Sequence, residues 1–203
     1  PNSSLGEVGQ ELGVEVVRLH KDFTDLTDDG IIEQIKEYVR RSPGTSIWAS
    51  IPCTVWSTWQ FMAIHRYGPK YLARLEKRRA ASMRLFKKFV EVARVVRDYG
   101  GEVSFEWPRN CTGWIRGEVL SFLDEFGMWE ASFDGCDVGL ADDSGHPIFK
   151  PWRVATTSKA LAVNLSSRRC KHERGYKHSH AEGNKTAKTA FYPKPMCHII
   201  LGS

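Results

Sequence analysis

Residues 46–57 have the sequence Ser-Ile-Trp-Ala-Ser-Ile-Pro-Cys-Thr-Val-Trp-Ser. Their apolar first half predicts a buried strand, and the Pro-Cys-Thr turn places Cys53 where that strand ends. Open α/β sheets carry their chemistry at the carboxyl ends of their strands. A thiol in that position can act as a nucleophile, although buried, unreactive cysteines are also common. The stretch therefore predicts a fold and a site that are both organised around Cys53.

The elements on either side of this strand predict an α/β fold. Before it we predict a helix over 5–12 ended by Gly13, a strand over 14–19, and a helix over 31–41 capped by Asp28 or Asp29. After it we predict a helix over 71–99, a strand over 102–108, a helix over 117–126, strands over 129–134 and 149–157, and a short helix within 158–169. This order favours a mostly parallel sheet, with the last two strands forming an antiparallel hairpin at its edge.

The 203 residues fit one domain with a small appendage. We expect an α/β domain over residues 1–160. A basic extension rich in Cys and His should follow over residues 161–203, with its apolar tail packing back on the core.

Composition limits the possible environments and partners. The net charge is +5, and Lys and Arg are concentrated in residues 66–98 and 168–194. Such regions suit a polyanion such as nucleic acid, and they are equally typical of a solvated helix face and a loop. We expect no membrane span, because no apolar run of about 18 residues is present. We also expect no secretory signal, because the start Pro1-Asn2-Ser3-Ser4 lacks a basic then apolar pattern. The five cysteines are irregularly spaced, which favours a reducing, intracellular location.

Three predicted strand ends carry groups able to do chemistry together: Cys53, Glu106 and Arg153. Parallel strands end at the same edge of a sheet, so Cys53 and Glu106 should face one crevice. A thiolate, a carboxyl group and a guanidinium suit attack on an electron-poor ring. Arg153 could instead simply pair with Asp134 or Asp137.

These segments resemble the DNA cytosine-5 methyltransferases. Pro52-Cys53-Thr54-Val55-Trp56-Ser57 is similar to their Pro-Cys-Gln-x-Phe-Ser nucleophile loop, and Phe105-Glu106-Trp107-Pro108 lies where their Glu-Asn-Val motif falls. Lys150–Val154 resembles their arginine-bearing strand. A closer resemblance is to divergent methylase-like domains in polyproteins of eukaryotic mobile elements.

The resemblance implies a Rossmann-like fold that depends on S-adenosylmethionine. Cys53 would attack carbon 6 of a flipped-out cytosine, Glu106 would contact ring nitrogen 3 and the exocyclic amine, and Arg153 would orient the base. Carbon 5 would then take a methyl group from S-adenosylmethionine.

The resemblance also implies which residues would hold the cofactor. These are Ser3, Ser4, Leu5, Arg18, Asp25 and Pro52. The family's first strand would lie before Pro1, and Arg18 stands where the family has an acid for the ribose hydroxyls. Thr54 replaces a glutamine, and the Glu-Trp-Pro motif lacks an asparagine. These departures affect the expected activity more than the expected fold.

The expected partner is DNA, with RNA as the weaker option, in the nucleus if the source is eukaryotic and within a larger polyprotein or assembly. The residues expected to contact nucleic acid are Trp56, Ser57, Arg109, Lys171, Arg174 and Lys177. Trp59 and Trp107 could also stack a base. One alternative is a degenerate methylase fold that binds nucleic acid or a protein without catalysis. The other is a methylase of RNA or of another base.

A second group of residues suggests zinc, which takes sulfur and nitrogen ligands in a tetrahedron. The predicted ligands are Cys170, His178, His180 and Cys197. The alternative is a basic loop whose histidines contact phosphate or solvent. Cys111 and Cys136 are predicted to be core or near-surface thiols.

Overall fold

The computed structural model describes residues 4–20, 24–179 and 191–203. The helices in these ranges are α1 Ser4–Leu12, α2 Asp29–Arg41, α3 Trp59–Asp98, α4 Gly117–Glu125, α5 Lys159–Ser166 and α6 Lys194–Leu201. The strands are β1 Ile47–Ala49, β2 Val103–Pro108, β3 Trp129–Asp134 and β4 Pro151–Thr156. Short 3-10 helices cover Thr54–Trp56, Thr112–Ile115 and Gly135–Val138.

The four strands form one small mixed sheet in the order β1-β2-β4-β3. Strands β1 and β2 are parallel, with Ile47 opposite Val103 and Ala49 opposite Phe105. Strand β3 lies at the edge beside β4, as the predicted hairpin requires. The α/β class is therefore confirmed.

Two helix ends follow the predicted signals. Helix α2 begins at its predicted cap, because Oδ1 of Asp28 accepts a hydrogen bond from the main-chain N–H of Ile31 at 2.9 Å. Helix α1 ends at Gly13, whose φ of 68° is a left-handed conformation that glycine adopts at low cost. Both ends are thus set by local chemistry that the sequence displays.

Helix α3 begins much earlier than predicted, at Trp59 instead of Tyr71. It contains a kink at Gly68, where φ is 68° and ψ is −159°, followed by Pro69. Proline is tolerated in the first turn of a helix, so Pro69 fits the start of the second segment. The element is two helical segments that meet at this kink.

The strand predicted over 14–19 is wrong. This segment has no regular structure, and Val14, Val17 and Leu19 are exposed. The main-chain N–H of Val14 donates to the carbonyl of Gly9 at 2.8 Å, and the chain folds back on α1. At Gly9 a β-carbon would lie only 2.6 Å from Cγ2 of Val16, which shows how closely the two segments approach. Val16 therefore packs on a helix rather than in a sheet, and the other apolar residues of the segment stay exposed.

The chain divides into two compact units. Unit 1 comprises Pro1–Leu19, Glu130–Arg153 and Ser158–Ser203, and unit 2 comprises His20–Trp129 and Val154–Thr157. Strand β4 contributes its first half to unit 1 and its second half to unit 2. The domain boundary expected after residue 160 stays a prediction.

Each unit has a core of its own. In unit 2, Phe105 of β2 is fully buried among aromatic rings of α3, α4, the segment after β2 and β2 itself. Those rings belong to Phe86, Phe89, Trp107, Trp114 and Phe122. In unit 1, α6 packs on α1 and buries Val8, Met196 and Cys197. None of the helices in the described ranges combines the length and the hydropathy that a membrane-spanning helix needs.

Candidate functional site

Cys53 lies on the loop that leaves β1. It is half-buried and precedes the 3-10 helix Thr54–Trp56, and its carbonyl accepts a hydrogen bond from the N–H of Trp56 at 2.8 Å. The loop is therefore a compact turn that fixes the main chain on both sides of the thiol.

Three hydrogen bonds fasten this loop to β2 and to the segment that follows it. Ser50 Oγ donates to Oε2 of Glu106 at 2.9 Å, and the indole N–H of Trp107 donates to the carbonyl of Ile51 at 2.7 Å. The Thr112 hydroxyl donates to the carbonyl of Trp56 at 2.8 Å. These contacts continue the parallel register by which Ala49 lies opposite Phe105. The structure thus brings the Cys53 loop and Glu106 to the same edge of the sheet.

Glu106 is a carboxyl group in an apolar strand. Only 4% of the residue is exposed, and it lies between the buried side chains of Phe105 and Trp107. A buried carboxyl group is costly unless it is hydrogen-bonded, and Ser50 supplies one such bond. The strand therefore holds Glu106 in a fixed position beside the Cys53 loop.

A second thiol, Cys111, lies within electrostatic range of this pair. Burial raises the pKa of Cys111 to about 12, and the nearby charges of Cys53 and Glu106 add smaller contributions in the same direction. Cys111 therefore keeps its proton at neutral pH and is a poor nucleophile. It makes a natural control for Cys53.

Arg153 belongs to unit 1, whereas Cys53 and Glu106 belong to unit 2. Its guanidinium forms an ion pair with Glu130 on the neighbouring strand β3. The role of Arg153 in orienting a base stays a prediction.

The residues expected to hold S-adenosylmethionine do not fit that cofactor. Ser4 and Leu5 form the first turn of helix α1 instead of a glycine-rich turn, and Ser3 lies outside the described residues. Arg18 offers donors only, so it cannot accept hydrogen bonds from ribose hydroxyls. Oδ1 of Asp25 already accepts two hydrogen bonds from Thr27, which hold the pKa of Asp25 below its usual value.

The remaining residue of that set, Pro52, is exposed beside Cys53.

The residues expected to contact nucleic acid lie in different environments. Trp56 is 2% exposed, and its indole N–H donates to the Ser82 hydroxyl at 2.9 Å, so its ring is part of the core. Ser57 ends the 3-10 helix after Cys53, and Arg109 is half-buried just after β2. Lys171, Arg174 and Lys177 are exposed on the loop after α5 in unit 1. Lys171 pairs with Asp137 at 3.3 Å.

A group that could hold a metal ion lies in unit 1. It consists of Cys136, Cys170, His172 and His178, whose ligand atoms all lie within 4.8 Å of one another. Cys170 Sγ is 3.3 Å from His172 Nδ1 and 3.4 Å from His178 Nε2, and these two nitrogens are 3.1 Å apart. We call these four residues the Cys/His cluster.

The surrounding structure positions both ends of the loop that carries the Cys/His cluster. Oδ2 of buried Asp134 accepts a hydrogen bond from the main-chain N–H of Cys170 at 3.0 Å. At the other end, the N–H of Ser179 donates to the carbonyl of Pro147 at 3.0 Å. The Tyr176 ring stacks on His172 with centroids 4.2 Å apart, and the Phe149 ring lies 5.5 Å from that of His178. The ligand atoms are thus held together by the fold of the loop.

The Cys/His cluster shares Cys170 and His178 with the set predicted from the sequence. His180 lies outside the described residues. Cys197 is fully buried in α6 with its thiol 3.9 Å from the carbonyl of Tyr192, and it is not part of the cluster. Cys136 and His172 were missed as ligands, although His172 is only two positions after Cys170.

Cys136 enters the cluster from the turn after β3. Burial, together with a hydrogen bond to Cys170, raises the pKa of its thiol to about 12. The metal-free protein therefore keeps this thiol protonated.

Comparison with known proteins gives no family for this chain. No model of a protein family matches it, and no curated protein or solved structure matches it significantly. The chemistry of the site therefore has to be argued from its own residues.

Proposed function

We propose that this chain methylates carbon 5 of cytosine in DNA through a covalent adduct on Cys53, within a Rossmann-like fold. The observation that carries the proposal is the hydrogen bond from Ser50 to Glu106, which joins the nucleophile loop to a buried carboxyl group at one edge of a parallel strand pair. The resemblance to the DNA cytosine-5 methyltransferases gives this pair its roles.

The chemistry requires a nucleophile and an acid that act on the same cytosine ring. The Cys53 thiolate forms a bond from its sulfur to carbon 6, and the electron pair of the 5,6 double bond moves toward ring nitrogen 3. Glu106 holds that nitrogen by a hydrogen bond and supplies its proton. Carbon 5 is then nucleophilic and takes up an electrophile. Solvent water takes the original proton from carbon 5, and the electron pair of that C–H bond re-forms the 5,6 double bond as the thiolate leaves carbon 6. Ring nitrogen 3 returns its proton to Glu106, which restores the ring.

S-adenosylmethionine, when bound, would supply the methyl group that carbon 5 takes up. The residues expected to hold this cofactor do not fit it, so the covalent chemistry rests on Cys53 and Glu106 alone. Without S-adenosylmethionine, carbon 5 takes a proton from solvent, and the net result is exchange of the hydrogen on that carbon.

We expect this exchange to be measurable. Single-stranded and duplex DNA incubated with the protein in deuterated water should gain deuterium at carbon 5 of cytosine, as measured by mass spectrometry of the nucleosides. A second incubation with 5-fluorocytosine DNA and S-adenosylmethionine should trap a methylated adduct on Cys53, because fluorine cannot leave as a proton does.

The results of the two incubations distinguish covalent chemistry, methyl transfer and binding without catalysis. Exchange without a methylated adduct would support the covalent chemistry and refute transfer from S-adenosylmethionine. Absence of both, with DNA binding retained, would instead support the alternative of a methylase fold that binds nucleic acid without catalysis. The poor fit of the cofactor residues favours that alternative.

The Cys/His cluster supports a second candidate function, the binding of zinc. Ligands at the usual Zn–S and Zn–N distances in a tetrahedron lie about 3.3–3.8 Å apart. The separations of 3.1–3.4 Å among Cys170, His172 and His178 are close to this. Each ring nitrogen either carries a proton or accepts one, so hydrogen bonds alone cannot satisfy all three contacts with good alignment. Two thiolates would also neutralise the charge of a Zn²⁺ ion.

We expect about one zinc ion per chain when the protein is purified without chelators and measured by mass spectrometry of the metal. His172→Ala and Cys136→Ser should lose most of this zinc. Removal of the ion should lower the melting temperature, because a ligand bound only by the folded state stabilises it by about 2.7 kcal/mol at one hundred times its Kd.

Two controls distinguish the Cys/His cluster from the set predicted from the sequence. His180→Ala and Cys197→Ala should keep their zinc, and loss of zinc in both would favour the sequence-based set instead. Zinc retained in all four variants, or absent from the unmodified chain, would refute a site at the cluster.

A further inference from the structure

The first segment of helix α3 exposes an unusual amount of apolar surface. Trp59, Phe61, Met62 and Tyr67 are 64%, 60%, 57% and 59% exposed. Trp59 and Met62 are three positions apart on the helix and so share a face, with Arg66 four positions further along. Single exposed apolar residues are ordinary, but several large ones on one helix segment indicate an interaction site.

Beyond the kink at Gly68, the second segment of α3 exposes cations. Lys70, Arg74, Lys77 and Arg78 are exposed, and none of the four has an acidic partner in the part of the chain that the structure describes. The one acid between them, Glu76, pairs with Arg79 at 2.8 Å. By contrast, Arg40 and Arg41 of α2 both pair with Glu37. The exposed charge of α3 is therefore available to an anion.

We give the name aromatic–basic face to the following exposed apolar and cationic residues from the two segments of α3. They are Trp59, Phe61, Met62, Arg66, Tyr67, Lys70, Arg74, Lys77 and Arg78.

This face is fastened to the loop that carries Cys53. Gln60, which is 8% exposed, donates from Nε2 to the carbonyl of Thr54 at 2.8 Å. Its Oε1 accepts a hydrogen bond from the Tyr71 hydroxyl at 2.6 Å. Gln60 thus links the Cys53 loop to both sides of the kink.

We propose that the aromatic–basic face binds single-stranded nucleic acid. Bases stack on the rings of Trp59, Phe61 and Tyr67, and the cations beyond the kink contact the phosphates. Charge alone would suit any polyanion, but exposed aromatic rings suit a strand whose bases are unpaired and open to stacking. A duplex offers its phosphates and hides the faces of its bases. This binding goes beyond the proposed methyl transfer and does not require Cys53 to react.

The test is fluorescence anisotropy with a labelled single-stranded DNA oligonucleotide, the same strand in a duplex, and a single-stranded RNA of the same sequence. We expect the single strands to bind more tightly than the duplex. The double variant W59A/F61A should bind the single strand about tenfold or more weakly, because each stacked base contributes substantially. K77A/R78A should reduce the slope of log affinity against log salt by roughly 0.7 for each lost phosphate contact.

The matched control is R40A/R41A, which removes two cations from α2 and should leave binding unchanged. The proposal is overturned if W59A/F61A binds as well as the unmodified chain, if the duplex binds as tightly as the single strand, or if polyglutamate competes as effectively as the oligonucleotide. The last result would show a surface for an acidic protein instead. Because anisotropy measures binding alone, a negative result is distinct from failure of the exchange assay.

Discussion

Cys53→Ser is expected to reduce deuterium exchange at carbon 5 of cytosine to the uncatalysed background. A serine hydroxyl has almost the same shape as the thiol but is a far weaker nucleophile at neutral pH unless a base activates it. Cys53 is half-buried on a turn held by main-chain hydrogen bonds, so the substitution should leave the fold intact. The melting temperature and the binding of single-stranded DNA should therefore stay unchanged.

Cys111→Ser is the matched control for this result. Cys111 lies near the same carboxyl group, but its thiol has a pKa of about 12 and stays protonated. Exchange should persist in this variant. Glu106→Gln should lower the exchange rate by about 10²–10⁴-fold, the usual contribution of a positioned acid or base. Exchange that survives in Cys53→Ser but disappears in Cys111→Ser would show that the nucleophile is Cys111 and not Cys53.

Phe105→Ala is expected to lower the free energy of unfolding by about 3–5 kcal/mol. Phe105 is fully buried, and its ring lies 4.7 Å from that of Trp107 and 5.2 Å from that of Phe86, measured between centroids. Removing it leaves a cavity at the centre of β2 that the surrounding rings cannot all close. This loss is a large part of the stability of an ordinary domain, which is about 5–15 kcal/mol.

Urea unfolding followed by circular dichroism measures this loss as a lower midpoint. Phe61→Ala is the control, because Phe61 is 60% exposed and the change should alter stability by no more than about 0.5 kcal/mol. Equal midpoints for the two variants would contradict the burial of Phe105. The same measurement on W59A/F61A shows whether the double variant used in the binding assay is correctly folded.

The end of α1, the start of α2 and the position of Glu106 beside the Cys53 loop could be predicted from the sequence, because their causes are local. Asp28 caps α2 because its short acceptor side chain precedes an apolar helical pattern. Glu106 could be placed beside the Cys53 loop because adjacent parallel strands end at one edge of a sheet. Neither inference requires knowledge of distant contacts.

The strand expected over 14–19 could not be corrected from the sequence alone. The preference of Val and Leu for strands is a preference for a pleated, half-buried surface, and the surface that this segment finds is helix α1. Trp56 was misleading for a similar reason. Its position beside Cys53 suggested a ring open to a base, but its burial depends on Ser82, which only the fold of α3 brings near.

The spacing of cysteines and histidines in the sequence identifies only part of the Cys/His cluster. Cys170, His172 and His178 are close in sequence, so their binding of one metal ion could be suspected. Cys136 joins them only because the turn after β3 returns to this loop. Cys197, by composition an equally good partner, is instead buried in helix α6. Sequence shows which residue types are present, whereas the fold decides which of them meet.

The interleaving of the two compact units limits how the chain can be divided for study. Unit 1 is assembled from three separate segments and unit 2 from two, so no single cut in the chain can release either unit intact. A fragment ending at residue 160 would lose most of α5, all of α6 and three of the four residues of the Cys/His cluster. Limited proteolysis should therefore yield nicked chains that stay associated and not separable fragments. For the same reason folding must close long loops before either core is complete, which favours slow folding.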